Sequence, residues 1–132
     1  MSDILSNLPY ARFLGLTSVI DDDRLIVTMP FDGKLIGDPI LPALHGGSTA
    51  ALLEFAAIAE IARVHPGARL PRPINVSIAY LRSGKPLEVR ASARIVKAGR
   101  RVAHVHAMAW QAEPDQPIAT LTAHFLMDHD AA

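Results

Sequence analysis

The stretch Leu44-His45-Gly46-Gly47-Ser48-Thr49-Ala50-Ala51-Leu52-Leu53-Glu54 is the most informative part of this chain. A His-Gly-Gly turn opens a long apolar helix, and that helix carries one carboxylate, Glu54, about two turns further on. Because a helix start collects unpaired backbone N–H groups and the positive end of the dipole, it suits an oxyanion. A carboxylate within an apolar stripe is costly, so it has a partner or a chemical task. The motif therefore offers two groups that acyl hydrolysis needs, an electrophile stabiliser and a base or nucleophile.

Length and composition exclude several classes of protein. The chain has 132 residues, half of them hydrophobic, which predicts one domain over residues 1–132 with a substantial core. A formal net charge of zero argues against a nucleic-acid partner, and the lack of cysteine excludes disulfides and thiol catalysis. No apolar run approaches the roughly 20 residues of a membrane span, and the first residues do not resemble a signal peptide. We therefore expect a cytoplasmic protein with no membrane partner.

Hydrophobic periodicity and turn residues predict an α+β fold, with an antiparallel sheet wrapped around one long central helix. Helices are predicted over residues 5–14, interrupted at Pro9, and over residues 47–64, ending before Pro66-Gly67. Residues 31–43 are predicted to be irregular and residues 69–73 to form a loop, because both contain prolines or glycines. The predicted strands are 16–20, 25–29, 74–81, 87–96, 102–111 and 118–127.

The predicted central helix is apolar on nearly all sides, so the sheet must wrap it or a partner must cover it. The one-turn neighbours of its carboxylate Glu54 are mostly alanines, at positions 50, 51 and 57. Small neighbours leave space beside the carboxylate for a water molecule or a substrate.

These residues resemble the hotdog-fold thioesterases of the phenylacetate-pathway and human thioesterase-superfamily-member-2 type. That family has His-Gly-Gly followed at a fixed spacing by Asp or Glu, which His45-Gly46-Gly47 and Glu54 match. The similarity extends to the segments 8–15, 78–82 and 119–126. It implies a hotdog fold and hydrolysis of acyl- or aryl-CoA thioesters, with coenzyme A as part of the substrate and no metal or other cofactor. It also implies a homo-oligomer, either a dimer or a dimer of dimers.

The resemblance implies a role for each residue of the motif. Glu54 corresponds to the catalytic carboxylate, acting as general base or nucleophile, and the Gly46 N–H corresponds to the oxyanion donor. His45 would hold the turn or contact the thioester carbonyl, and Ser83 would help to orient the attacking water. Gly47 belongs to the same turn and is assigned to substrate binding.

The chain departs from the family pattern at one position. Relatives often carry Asn or Gln six residues before the histidine, where this chain has Pro39. Asp38 stands beside it and is assigned to substrate binding, but its carboxylate accepts hydrogen bonds where the family uses a donor.

Basic residues in loops and at strand ends are candidates for holding the coenzyme A phosphates. The alternative is an ordinary solvated surface. The residues assigned to this role are Arg82, Lys85, Lys97, Arg100 and Arg101.

Each signal also has a purely structural interpretation. The His-Gly-Gly turn is also explained as a loop that needs glycine, Glu54 as one half of an ion pair with a buried arginine, and Ser83 as a turn residue. His104 and His106 have a spacing that suits a metal, but no third ligand is evident, which favours packed strand histidines. Two further functions stay open, a non-catalytic acyl-CoA-binding hotdog protein and an enoyl-CoA hydratase-like enzyme.

Overall fold

The computed structural model describes residues 4–67 and 69–127. The described residues form two helices and eight strands, with short 3₁₀ helices at Ile4–Asn7 and Gly33–Leu35. The elements are α1 (Pro9–Leu14), β1 (Thr17–Asp21), β2 (Arg24–Met29), β3 (Ile36–Asp38), β4 (Ala43–Leu44), α2 (Gly46–Val64), β5 (Arg72–Tyr80), β6 (Val89–Ala98), β7 (Val102–Trp110) and β8 (Ala119–Leu126). The helices and six of the strands follow one another in the predicted order, and the two short strands β3 and β4 were not predicted.

Six strands form one antiparallel sheet in the order β1-β2-β6-β7-β8-β5. The helix α2 packs against one face of this sheet. Strand β5 precedes β6 in the chain but lies at the sheet edge beside β8, so one of its two edges is unpaired within the described chain. This arrangement agrees with the predicted α+β fold.

The alternating pattern of the strands determines which side chains reach the core. In β7, Ala103, Val105, Ala107 and Ala109 are buried, and the residues between them point to the opposite face, which we call the outer face. Small residues on the inner face let α2 approach the sheet closely, and Leu52, Leu53 and Ile61 of α2 fill the core with at most 1% exposure.

Turn chemistry explains the first hairpin. Asp22 and Asp23 both have a positive φ, 53° and 61°, which is the combination that a tight two-residue hairpin turn requires. Aspartate tolerates this left-handed region better than most residues. The turn aligns Asp21 with Arg24 and sets the register of β1 on β2.

Two local predictions were wrong. Residues 31–43 are not wholly irregular, because they contain the 3₁₀ helix and the small β3–β4 hairpin, which pairs Ile36 with Leu44. Residues 69–73 are not wholly a loop, since Arg72 and Pro73 begin β5. Proline is tolerated there because β5 is an edge strand with a register shift between Pro73 and Asn75.

The edge strand β5 exposes three large apolar side chains. Ile74, Val76 and Tyr80 of β5 are 54%, 37% and 56% exposed. Within the described ranges no helix is long and apolar enough to cross a membrane.

Candidate active site

The His-Gly-Gly turn is an N-cap. His45 precedes the first residue of α2, and its Nδ1 accepts a 2.8 Å hydrogen bond from the Gly47 N–H. The His45 N–H donates to the Leu35 carbonyl at 2.7 Å, and the Ser48 hydroxyl donates to the His45 carbonyl at 2.7 Å. An imidazole that caps a helix satisfies one of the free N–H groups at its start. The structure therefore uses His45 to hold the turn, one of the two roles expected of it.

Both glycines of the turn stand against a ring. A Cβ on Gly47 would lie 2.9 Å from Cε1 and Nδ1 of His45, so a larger residue would push the capping imidazole away. A Cβ on Gly46 would lie 3.1 Å from Cε1 and Cζ of Tyr80. The Tyr80 hydroxyl donates a 2.9 Å hydrogen bond to the Gly46 carbonyl, so the end of β5 is joined to the start of α2.

A cleft of about 420 Å³ opens beside this helix start. Gly46 lines it together with Thr49, Tyr80, Arg82 and Ser83, so three of the predicted site residues are brought together. The Gly46 N–H donates no hydrogen bond to any group in the described part of the chain. An unpaired N–H at a helix start that lines a cleft is able to stabilise a developing negative charge.

Backbone hydrogen bonds hold the far wall of the cleft. Leu44 donates to the Gly84 carbonyl at 2.9 Å, and the N–H groups of Leu81 and Arg82 donate to the Ile118 carbonyl at 2.8 and 3.2 Å. The Arg82 guanidinium donates to the Pro117 carbonyl at 3.1 Å. Ser83 therefore sits in a tethered segment on the cleft wall.

Glu54 does not line this cleft. It lies eight residues after Gly46 in α2, which is roughly 12 Å along the helix axis. Glu54 is partly buried, and this burial raises the pKa of its carboxyl group.

Glu54 also lacks the ion pair considered as its structural explanation. Over residues 4–67 and 69–127 no side chain forms a hydrogen bond or ion pair with it. The arginine of α2, Arg63, instead binds Glu60 with a 2.7 Å contact between Nε and Oε1.

Two other candidates take part in loop structure. The Asp38 carboxylate accepts hydrogen bonds from the N–H groups of Ile40 and Leu41 at 3.0 and 3.2 Å, which is the aspartate turn that a following proline favours. The Lys85 backbone is held by the Gln111 side chain through contacts of 3.0 and 2.8 Å. Neither residue lines the cleft at Gly46.

The β6–β7 hairpin lies at the other end of the sheet from the cleft. Lys97, Arg100 and Arg101 line a groove of about 530 Å³ there, with His104 and His124. Val102 pairs with Leu126, whereas Ala119, seven residues earlier in β8, borders the cleft. Seven residues of strand span roughly 23 Å. Within one chain these cations are therefore remote from Gly46.

Two residues of the cleft, Tyr80 and Thr49, are not among the site residues that the sequence predicts. Tyr80 lies within the segment 78–82 that carried part of the family resemblance, but nothing in the local sequence indicates that its hydroxyl reaches α2. Thr49 is buried, 4% exposed, and reaches the cleft because it follows Gly46 by almost one helical turn.

Known proteins give an independent comparison with this geometry. A family model described as the acyl-CoA thioesterase N-terminal domain matches residues 38–126. No curated protein matches the chain.

Several solved structures share the fold. A Chromobacterium violaceum protein is 33% identical, with 95% of this chain and 87% of that chain covered and a TM-score of 0.76. A Bacillus halodurans protein solved with CoA is 24% identical, with coverages of 94% and 81% and a TM-score of 0.83. A phenylacetic acid degradation-related protein from Ralstonia eutropha is 20% identical, with coverages of 95% and 97% and a TM-score of 0.81. The predicted α+β hotdog fold is thereby confirmed.

Proposed function

Because the chain belongs to the acyl-CoA thioesterase domain family, we propose that it hydrolyses the thioester of an acyl- or aryl-CoA to the free acid and CoA. The observation that carries this proposal is the unpartnered Gly46 N–H at the start of α2, on the wall of a cleft of about 420 Å³. The Bacillus halodurans structure of the same fold contains CoA, which supports coenzyme A as the carrier of the acyl group.

In the proposed reaction the thioester carbonyl oxygen accepts a hydrogen bond from the Gly46 N–H. Water attacks the carbonyl carbon, negative charge develops on the oxygen, and the helix start stabilises it. Collapse of the tetrahedral intermediate breaks the carbon–sulfur bond and releases the CoA thiol. Ser83 on the cleft wall is assigned to orienting the attacking water.

Glu54 is assigned to activating the water, or to attacking the carbonyl itself and forming a transient anhydride. Its partial burial raises the carboxyl pKa, which makes the carboxylate a stronger base than a solvated glutamate. The absence of an ion-pair partner over the described ranges leaves the carboxylate available to a substrate or water.

One chain does not bring Glu54 to the Gly46 cleft, and we propose that two chains complete the site. A base must reach a water beside the same carbon whose oxygen the Gly46 N–H binds, but the two residues are roughly 12 Å apart along α2. Two antiparallel α2 helices related by a two-fold axis would bring Glu54 of one chain near Gly46 of the other.

The edge strand supports this two-chain arrangement. β5 has a free edge in the sheet and carries the exposed apolar residues Ile74, Val76 and Tyr80. A long, apolar edge strand is a template for pairing with another chain. Antiparallel pairing of β5 with its copy would join the two sheets, and we propose a homodimer or a dimer of such dimers.

The same pairing would give the hairpin cations access to a substrate. Arg72 at the start of β5 lies across β8 from Val102, next to the hairpin, and Tyr80 at its end borders the cleft. In an antiparallel pair the start of one β5 lies beside the end of the other. The partner's hairpin would then border this chain's cleft, and its cations are assigned to the coenzyme A phosphates.

Thiol release from a panel of acyl-CoAs, followed with a thiol reagent, tests the activity. Release with turnover supports hydrolysis. Binding of acyl-CoA without thiol release would instead indicate the non-catalytic alternative. Consumption of an enoyl-CoA without thiol release would indicate the hydratase-like alternative.

Complementation tests the shared site. An inactive Glu54→Gln chain and an inactive Gly46→Pro chain, which lacks the N–H, are mixed under conditions that exchange subunits. Mixed dimers should regain one working site and part of the wild-type activity. No recovery in heterodimers verified by differential tagging, or a fully active monomer by light scattering, would show that the two-chain geometry is wrong.

A further inference from the structure

Basic side chains and histidines predominate on the outer face of the sheet. The chain has 13 acidic residues and no net charge, yet β2, β5, β6, β7 and β8 contain no Asp or Glu. These strands carry cations and histidines on the outer face, the side of the sheet that points away from α2. Strand β1 contributes one acid to the sheet, Asp21, which is the cross-strand neighbour of Arg24 but forms no ion pair with it in the described chain. The outward-pointing basic residues and histidines include Arg24, Arg90, Arg94, His104, His106 and His124.

A concavity of about 480 Å³ lies in the middle of this face. Its polar lining consists of Arg24, Arg94, His106, Ser92, Thr120 and Thr122. The strand register sets these groups in two adjacent rows, one in which Arg94, His106 and Thr122 are cross-strand neighbours and one with Ser92 and Thr120 on either side of Met108. The site is thus built on regular sheet, where positions are rigid.

The two arginines of the concavity have no carboxylate partner within residues 4–67 and 69–127. Arg24 lies over the Trp110 ring, 5.6 Å from its centroid, and the Arg94 guanidinium lies 3.5 Å from Nδ1 of His106. By contrast, Arg90 on the same face is paired with Glu88 at 3.0 Å. Guanidinium groups with free donors beside three hydroxyls form a donor-rich site that suits a phosphate.

Three histidines lie next to these arginines on the outer face. His104 and His124 are stacked with centroids 4.5 Å apart, and His104 meets His106 edge-on at 5.0 Å. The buried Nε2 of His104 has no hydrogen-bond partner in the described chain.

The geometry favours a small ligand over a macromolecule. Two copies joined by their outer faces would set cations against cations, which is destabilising. The concavity is the size of a small-molecule pocket, and a chain with no net charge is a poor general binder of nucleic acid.

We propose that the outer face carries a second site, on the opposite side of the sheet from α2, which binds the phosphate of a small phosphorylated molecule through Arg24 and Arg94. The three hydroxyls complete the set of donors, and His106 lies beside Arg94 as its cross-strand neighbour. The ligand is either a free phosphorylated metabolite or the nucleotide part of coenzyme A itself.

Calorimetric titration of the intact protein with sodium pyrophosphate at low salt tests the site without any turnover. We expect saturable binding to the wild-type protein. Arg94→Gln should weaken it at least tenfold, the effect of losing a charge-assisted hydrogen bond. Arg90→Gln is the matched control on the same strand and face, and it should change affinity less than twofold.

Two results would overturn the site. One is the absence of saturable pyrophosphate binding by the folded protein. The other is an equal loss of affinity in Arg90→Gln and Arg94→Gln, which would show that only the overall positive charge attracts the anion.

Kinetics then distinguish the two ligand sources. If Arg94→Gln raises KM for acyl-CoA but not for a pantetheine thioester, the bound phosphate belongs to the substrate. If both KM values are unchanged while pyrophosphate binding is lost, the ligand is a separate metabolite. Failure of thiol release would leave the pyrophosphate measurement unaffected, so the two proposals fail independently.

Discussion

The Tyr80 hydroxyl donates a 2.9 Å hydrogen bond to the carbonyl oxygen of Gly46. This contact joins the end of the edge strand β5 to the first residue of α2. It therefore couples two parts of the proposed mechanism, because β5 is the strand proposed to pair with a second chain and Gly46 carries the proposed oxyanion donor.

Tyr80→Phe removes this hydrogen bond and keeps the ring. We expect kcat to fall about 3- to 10-fold, because a loss of about 1 kcal/mol of positioning at the oxyanion donor changes the rate by that factor. Tyr10→Phe is the matched control, since Tyr10 is similarly exposed and its hydroxyl makes no hydrogen bond in the described chain. Equal kcat values for the two variants would show that the Tyr80 hydroxyl does not position Gly46 for catalysis.

Glu54→Gln keeps the size of the side chain and removes the base. Turnover should fall by at least about 100-fold, the effect of a positioned general base. Glu60→Gln on the same helix is the control, because Glu60 is bound to Arg63, and it should keep most of the activity. Normal turnover by Glu54→Gln with a normal circular dichroism spectrum contradicts the assignment.

The same Glu54→Gln variant should be more stable than the wild type at pH 8. Burial raises the pKa of Glu54 in the folded state, so the folded protein binds this proton more tightly than the unfolded chain does. The contribution of Glu54 to the free energy of unfolding therefore decreases as the pH rises above 4.5 towards the folded-state pKa.

We expect a gain of at most about 1 kcal/mol at pH 8, because Glu54 is only partly buried and solvent screens its charge. Urea unfolding at pH 8 and pH 5 measures it, and the advantage should shrink at pH 5. A loss of stability at pH 8 would mean that Glu54 has a stabilising partner, as in the ion-pair interpretation.

His104 should make the stability depend on pH in the opposite sense. Its pKa is lowered by burial and by the neighbouring His124 and His106, and Lys97 faces it across β6. The unfolded chain therefore takes up this proton first, and the free energy of unfolding decreases as the pH falls below about 6.5. His104→Gln should flatten the pH profile of urea unfolding between pH 7 and pH 5, and an unchanged slope would contradict the role of His104.

The double variant Arg100→Gln/Arg101→Gln tests whether the β6–β7 hairpin binds the coenzyme A phosphates. KM for acyl-CoA should rise about tenfold or more, while KM for a truncated pantetheine thioester stays nearly constant, because phosphate contacts contribute binding energy remote from the reacting carbon. Arg12→Gln on α1 is the control for a general change of charge. Equal effects of the double variant on the two substrates would refute a phosphate role.

The sequence by itself determined the elements whose hydrogen bonds are local. The His45-Gly46-Gly47 turn and the apolar stretch after it predicted a long helix from residue 47 with the carboxylate of Glu54 about two turns inside it. In the structure α2 begins at Gly46, and His45 is its N-cap. The period-2 pattern of β6 predicted a strand with one apolar face, because alternation follows from the geometry of a single strand. The family's shared fold was predicted from the same residues.

Only the tertiary structure decided which distant segments meet. The place of β5 beside β8 rather than β6, the bond from Tyr80 to Gly46 and the gathering of cations around Arg94 on the outer face each join residues far apart in the chain. Pairing of strands depends on which edges and faces become buried together, and no local pattern records that choice. By contrast, the separation of roughly 12 Å between Gly46 and Glu54 follows from their eight-residue spacing on one helix and needs no tertiary structure.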